Sequence, residues 1–156
     1  MDIQIKGQAG EDLLPIISSI IDNTLPLVSN LSNLSRVLYE GFRHISWAGF
    51  YIADESGKTL YLGPYQGPIA CTKIPFSKGV CGAAASSKTT ILVDNVHEFP
   101  GHIACSSSTN SEIVVPIIKN DIVVGVIDLD SEMLSNFTQA DALVLEKIAM
   151  SISQLF

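Results

Sequence analysis

The chain has 156 residues, 47% of them apolar and 16% charged, a balance that is typical of one globular domain and opposite to that of a disordered chain. A formal net charge of -7 argues against a protein that binds the phosphate backbone of nucleic acid. No apolar run approaches the roughly 20 residues of a membrane-spanning helix, and residues 1–6 lack the pattern of a secretory signal. We therefore expect one domain over residues 1–156, located in the cytoplasm, with neither nucleic acid nor membrane as a partner.

The N-terminal part of the sequence predicts two helices followed by a hairpin. Apolar residues recur at helical spacing from Glu11 to about Phe42, and Pro26 divides this stretch in two. Two segments with strand character follow, at Ser46–Ala53 and Thr59–Tyr65. The polar, glycine-containing segment Asp54–Lys58 between them has the composition of a turn.

The C-terminal half predicts a second hairpin and a final helix. The middle of the chain loses its periodicity, although Gly79–Ser87 is long enough for a small helix. Segments rich in valine and isoleucine at Glu112–Ile118 and Ile122–Asp130 predict antiparallel strands, and Thr138 is placed to cap a helix after them. This order indicates an α+β fold in which the N- and C-terminal helices pack on one face of an antiparallel sheet.

Carboxylates lie at the end of the last predicted strand and at the start of its partner. Asp128 and Asp130 are two residues apart and continue the face of Ile122, Val124 and Val126. At the rim of a buried surface, desolvation and mutual repulsion would raise the carboxyl pKa and make a proton donor available near neutral pH. A solvated strand end is the alternative for this pair. Glu112 is either an exposed first residue of its strand or a third acid of the same site.

Aromatic side chains share one face of the first predicted strand. Trp47 and Tyr51 are four residues apart with Gly49 between them, which predicts a notch between two aromatic walls that a small apolar group could enter. The alternative is that both rings are simply part of the core.

The cysteines are candidates for redox chemistry. The spacing of Cys71, Cys81 and Cys105 matches no zinc motif, so we expect no structural metal site. Cys71 and Cys105 each follow an Ile-Ala pair in a loop-like stretch, where two mobile thiols near acids would suit a nucleophile and a resolving thiol. Burial without reactivity is the alternative, and all three pairings remain open. His102 would either lower the pKa of Cys105 or serve the loop structurally.

Six sequence blocks in order along residues 34–150 carry a family resemblance. They are Ser46–Tyr51, Leu62–Cys71, Gly79–Gly82, Gly101–Cys105, Asn110–Val114 and Asp128–Ser131. Together they resemble the free methionine-(R)-sulfoxide reductases, whose fold is the GAF fold. The chain departs from that family after Cys105, where Ser106–Thr109 replace the usual Asp and Ala-Ser pair.

The resemblance implies an enzyme that reduces the R epimer of free methionine sulfoxide with electrons from thioredoxin, without a metal or an organic cofactor. Cys105 would attack the sulfoxide sulfur and become a sulfenic acid. Cys71 would resolve that acid into a disulfide, and Cys81 would be an auxiliary thiol. The family resemblance also implies a homodimer.

The same resemblance implies a division of labour among the acids and the aromatic residues. One carboxyl of Glu112, Asp128 and Asp130 would protonate the sulfoxide oxygen, and the others would hold the substrate ammonium group. Trp47 and Tyr51 would enclose the methyl-sulfinyl end, while backbone N–H groups near Cys105 would bind the substrate carboxylate. Because a peptide-bound residue presents neither charge, such a site would select the free amino acid.

Two other functions remain open. The first is a non-catalytic GAF module that senses a small molecule or oxidants through its cysteines. The second is a site in which the acids and aromatic rings bind a cationic metabolite and the cysteines are incidental. Turnover to methionine would separate the reductase from both.

Overall fold

The computed structural model describes residues 12–156. Its helices are α1 (Leu13–Ile20), α2 (Leu27–Gly41), α3 (Gly79–Ser87) and α4 (Gln139–Ile152). Its strands are β1 (Ile45–Ala53), β2 (Thr59–Gln66), β3 (Lys73–Pro75), β4 (Ile91–Val93), β5 (Ser111–Lys119) and β6 (Ile122–Ser131). Short 3-10 turns occupy Val96–Glu98 and Ser153–Leu155. Within this part of the chain, no helix is both long enough and apolar enough to cross a membrane.

The predicted elements are present close to their predicted bounds. The break between α1 and α2 falls at Pro26, as expected, and the small helix runs over Gly79–Ser87. Thr138 caps α4, because its hydroxyl accepts from the N–H of Asp141 and the Asp141 carboxylate accepts from the N–H of Thr138. The expected helix start at Glu11 and the expectation about residues 1–6 lie outside the described residues.

The six strands form one antiparallel sheet in the order β3-β2-β1-β6-β5-β4. Both predicted hairpins, β1–β2 and β5–β6, are present. The hairpins are joined by the pairing of β1 with β6, two strands that are far apart in the sequence. This central pairing places the aromatic residues of β1 beside the acids of β6.

The main core lies between the sheet and the terminal helices. The buried side chains of α1, α2 and α4 pack against sheet residues that include Phe50, Ile113 and Leu129. The predicted α+β architecture, with N- and C-terminal helices on one face of an antiparallel sheet, is thus confirmed. The opposite face carries α3 and a second apolar cluster that includes Trp47 and Tyr51.

A β-bulge changes the face of the sheet on which the side chains of β6 lie. Ile117 lies opposite Gly125 but Ile118 lies opposite Val123, so the register shifts by one residue. As a result Val124 packs on the terminal-helix side and Val123 on the other side. The prediction that Val124 shares a face with the two aspartates is therefore wrong, because strict alternation ends at the bulge. For Val126, which packs in the second cluster, the prediction is confirmed.

Candidate active site

A narrow cavity opens on the sheet face opposite the terminal helices. It lies between β1, β5 and β6 below, the start of α3 at one side, and the loops that follow β2 and precede β5. Its volume of about 40 Å³ corresponds to a few water molecules, since one water occupies roughly 10–15 Å³ by this measure. The residues predicted for the site that line it are Trp47, Tyr51, Cys81, Cys105, Glu112, Asp128 and Asp130.

The remaining predicted site residue, Cys71, is bonded to one of the cysteines that line the cavity. A disulfide joins Cys71 to Cys105, with 5.5 Å between their Cα atoms, and thereby links the loop after β2 to the loop before β5. Both residues are partly exposed. Cys81 at the start of α3 is buried and free, and its Sγ donates to Oδ2 of Asp128 over 3.3 Å. The structure thus holds one of the three pairings that the sequence left open.

Strand pairing brings the three predicted acids together. Glu112 of β5 lies directly opposite Asp130 of β6, and Asp128 is two residues further along the same face. Glu112 and Asp128 are each only 6% exposed, and Asp130 is partly exposed. Trp47 of β1 is the neighbour of Asp130 on its other side. The acids therefore form one cluster whose wall on the β1 side is aromatic.

Burial dominates the electrostatics of this cluster. It raises the pKa of Glu112, Asp128 and Asp130 well above the ordinary values of carboxyl groups, and the charge of a neighbouring acid raises each further. Oδ1 of Asp128 is buried and has no hydrogen-bond partner among the described residues. Burial and the same acids raise the pKa of the Cys81 thiol. The cluster therefore retains protons at a pH where exposed carboxyls have lost them.

Protein stability should report these raised pKa values. A carboxyl whose pKa is higher in the folded state binds its proton more tightly there, so its stabilising contribution is complete below about pH 4 and is lost as the pH rises through the folded-state pKa. We expect Asp128→Asn to raise the unfolding temperature at pH 8, by roughly 2–4 °C for each kcal/mol gained, and to raise it less at pH 5. Thermal unfolding of both proteins across this range measures the effect. An equal difference at both pH values would contradict it.

The aromatic walls are held in place by hydrogen bonds and stacking. Trp47 stacks on Tyr51, with ring centroids 5.8 Å apart, and on Tyr65, at 5.1 Å. Nε1 of Trp47 donates to the carbonyl of Pro68 over 3.2 Å. The Tyr51 hydroxyl donates to the carbonyl of Cys71 over 3.1 Å. The wall is thus connected directly to the loop that carries one of the disulfide cysteines.

The predicted notch at Gly49 is wrong. A Cβ added there would lie 2.3 Å from Cβ of Tyr65 and 2.8 Å from the indole of Trp47, so the space above the glycine is already filled. The sequence did not predict that Tyr65 fills this space, because the position of Tyr65 opposite Gly49 depends on the β1–β2 register. The open space lies beside the rings, in the cavity that both Trp47 and Tyr51 line.

This packing predicts that Gly49→Ala destabilises the protein. The new methyl group must displace a tyrosine Cβ or the indole, and overpacking of this kind costs about 1–3 kcal/mol. Gly63→Ala on β2 is the matched comparison, since its Cβ would come no closer than 3.0 Å to the Phe50 carbonyl. Denaturant unfolding should show the larger loss for Gly49→Ala. Equal losses in the two variants would contradict the packing argument.

His102 contacts an acid of the cluster. Its Nε2 lies 3.5 Å from Oε2 of Glu112, and partial burial lowers its pKa, which favours the neutral imidazole. This contact joins the loop that carries Cys105 to the acid cluster. Neither of the two roles predicted for His102 involves Glu112, because Glu112 is ten residues away on a different element.

Three of the site residues are also suitable ligands for a metal ion. One ligand atom from each of Cys81, Glu112 and Asp128 lies within 4.8 Å of the others. Sequence spacing did not indicate such a site, because the three residues belong to α3, β5 and β6. Zinc motifs read from sequence depend on closely spaced ligands, whereas this cluster depends on the tertiary fold.

Fold and site together define a GAF domain. The GAF domain family model matches residues 17–156, and the chain belongs to this family. Its relatives confirm the resemblance to the free methionine-R-sulfoxide reductases. The protein of that name from Saccharomyces cerevisiae is 46% identical over 155 residues, covering 96% of this chain and 86% of the relative. The Escherichia coli protein of the same name is 38% identical, covering 96% and 90%.

The similarity extends to solved structures. The X-ray structure of free methionine-R-sulfoxide reductase from Neisseria meningitidis in complex with its substrate superposes with a TM-score of 0.86 at 44% identity. The superposition covers 92% of this chain and 85% of the Neisseria meningitidis chain.

Proposed function

We propose that this protein reduces free L-methionine-R-sulfoxide to L-methionine at the cavity described above. The observation that carries the proposal is the disulfide between Cys71 and Cys105, which lies beside a buried acid cluster and an aromatic wall. The names of the relatives from yeast and Escherichia coli support the same substrate. A thiol that can be oxidised and a proton source lie in one small space, and sulfoxide reduction needs both.

The chemical step transfers oxygen from substrate sulfur to cysteine. The Cys105 thiolate attacks the sulfoxide sulfur and forms a sulfur–sulfur bond, and an acid of the cluster protonates the oxygen, which makes the substrate sulfur more electrophilic. The oxygen then passes to Sγ of Cys105 as the sulfur–sulfur bond and the substrate S–O bond break, so Cys105 becomes a sulfenic acid and methionine leaves with its sulfur reduced by two electrons. The Cys71 thiol then attacks that Sγ, releasing water and forming the disulfide. A dithiol restores both thiols by exchange.

The acid cluster serves both protonation and binding. Glu112, Asp128 and Asp130 have raised pKa values through burial, so a protonated member is available at a pH where an exposed carboxyl has lost its proton. The ionised members hold the substrate ammonium group. The lining of the cavity contains no lysine or arginine, so no fixed cation among the described residues competes for that role.

The other substrate groups have matching surfaces. Trp47 and Tyr51 provide an apolar wall for the methyl-sulfinyl group. The N–H of Cys105 already donates to the carbonyl of Ile103, so the first turn of α3 is a further source of donors for the substrate carboxylate, beside the other N–H groups near Cys105. Val80 lines the cavity in that turn, where N–H groups lack partners within the helix and the dipole favours an anion.

We propose thioredoxin as the reductant. The Cys71–Cys105 disulfide is partly exposed, so an external dithiol can approach it. The homodimer and the cytoplasmic location implied earlier remain predictions.

The proposal is tested with thioredoxin, thioredoxin reductase and NADPH, comparing the R and S epimers of free and N-acetylated methionine sulfoxide. We expect consumption of the free R epimer alone. N-acetylation removes the ammonium charge, so an equal rate with the N-acetylated R epimer would overturn the assignment of the acid cluster. Stoichiometric binding without production of methionine would instead favour the sensing GAF module.

A further inference from the structure

The acid cluster and the free cysteine form a compact set of metal ligands. Sγ of Cys81 lies 3.3 Å from Oδ2 of Asp128, and a ligand atom of Glu112 lies within 4.8 Å of both side chains. Nε2 of His102 is 3.5 Å from the Glu112 carboxylate, but His102 is not one of the three residues whose ligand atoms lie together. All four side chains line one cavity.

A second observation is that one buried oxygen of this cluster lacks a partner. Oδ1 of Asp128 is buried without a hydrogen bond from any described residue, although buried polar atoms are nearly always paired. The residues that line the cavity include no lysine or arginine to compensate the carboxylates. A bound cation would pair the free oxygen and neutralise the cluster together.

We propose that Cys81, Glu112 and Asp128 bind a divalent transition-metal ion of the zinc type. A thiolate with two carboxylates is a donor set that suits zinc and disfavours magnesium and calcium, which require oxygen ligands. Metal binding displaces the protons of the ligands and should therefore release protons. The site is present with the Cys71–Cys105 disulfide formed, because neither of those residues is a ligand.

This site would also control access of the substrate, a consequence that rests on the proposed function. Glu112 and Asp128 are the carboxyls assigned above to protonation and to binding of the substrate ammonium group. A metal ion that occupies them excludes the substrate, so zinc should inhibit competitively and a chelator should restore activity. Free zinc would then link metal availability to the reduction of methionine sulfoxide.

The test uses the oxidised, metal-free protein and Co²⁺ as an optical probe, followed by displacement with Zn²⁺. The chain has three cysteines and two are in the disulfide, so a thiolate-to-cobalt charge-transfer band would report Cys81. We expect one equivalent to bind, loss of the band in Cys81→Ser, and affinity lowered at least about tenfold in Asp128→Asn. Glu55→Gln, in the exposed β1–β2 turn, is the matched control and should bind as the wild type does.

The absence of a band in the wild type, or wild-type affinity in either Cys81→Ser or Asp128→Asn, would overturn the metal site. Reductase activity of the metal-free protein is measured separately in the presence of a chelator. Activity without metal binding would refute this inference and leave the proposed function intact. Metal binding without activity would refute the function and retain the site.

Discussion

Cys105→Ser is expected to lower turnover of free methionine-R-sulfoxide by at least about a thousandfold, the scale on which enzymes lose activity with their nucleophile. Serine is nearly isosteric, but its hydroxyl is far less ionised and less nucleophilic than a thiol at neutral pH. The acids and aromatic rings that hold the substrate are unchanged, so its affinity should stay close to that of the reduced wild type. The coupled thioredoxin assay and calorimetric binding measure the two quantities. Turnover near the wild-type rate would contradict the assignment of the nucleophile.

Two further variants, Cys71→Ser and Cys81→Ser, distinguish the roles of the other two thiols. In Cys71→Ser the sulfenic acid on Cys105 forms but has lost its partner in the disulfide, so about one methionine per enzyme should appear before the reaction stalls. Cys81→Ser should continue to cycle, because Cys81 is buried and its thiol is directed at Asp128. Cycling of Cys71→Ser at the wild-type rate, with stalling of Cys81→Ser, would reverse the assignment of the resolving cysteine.

Glu112→Gln is expected to reduce kcat by about 10²- to 10⁴-fold, the usual contribution of general acid catalysis. Glu112 is buried opposite Asp130, and burial raises the pKa of its carboxyl. Glutamine keeps the shape of the side chain but cannot supply the acidic proton or the negative charge. Steady-state kinetics of the variant and of Glu55→Gln measure the effect. An equally small change of kcat in both variants would contradict a catalytic role of Glu112.

The fold was largely accessible from the sequence because its signals are local. The break at Pro26, the cap at Thr138 and the valine-rich hairpin all depend on neighbouring residues, and each is present as predicted. The bulge that turns Val124 towards the terminal helices was not predictable. It results from the pairing register of two strands, which periodicity within one strand does not specify.

The sequence predicted which residues lie together around the cavity but not their geometry. Alternation placed Asp128 and Asp130 on one face, and the family resemblance implied the pairing of Cys71 with Cys105 that the structure holds. The central β1–β6 pairing connects segments about eighty residues apart, so no local pattern predicts that Trp47 neighbours Asp130. For the same reason, the filling of the Gly49 notch and the contact of His102 with Glu112 emerged only from tertiary structure.

The most direct test is a single turnover of the fully reduced protein with free methionine-R-sulfoxide and no external reductant. Released methionine is quantified, and the disulfide is mapped by mass spectrometry after blocking of free thiols. The account predicts about one methionine per chain, oxidation of Cys71 and Cys105 to one disulfide, and a blocked, unoxidised Cys81. Release of no methionine, or methionine released while Cys105 remains a free thiol, would contradict it.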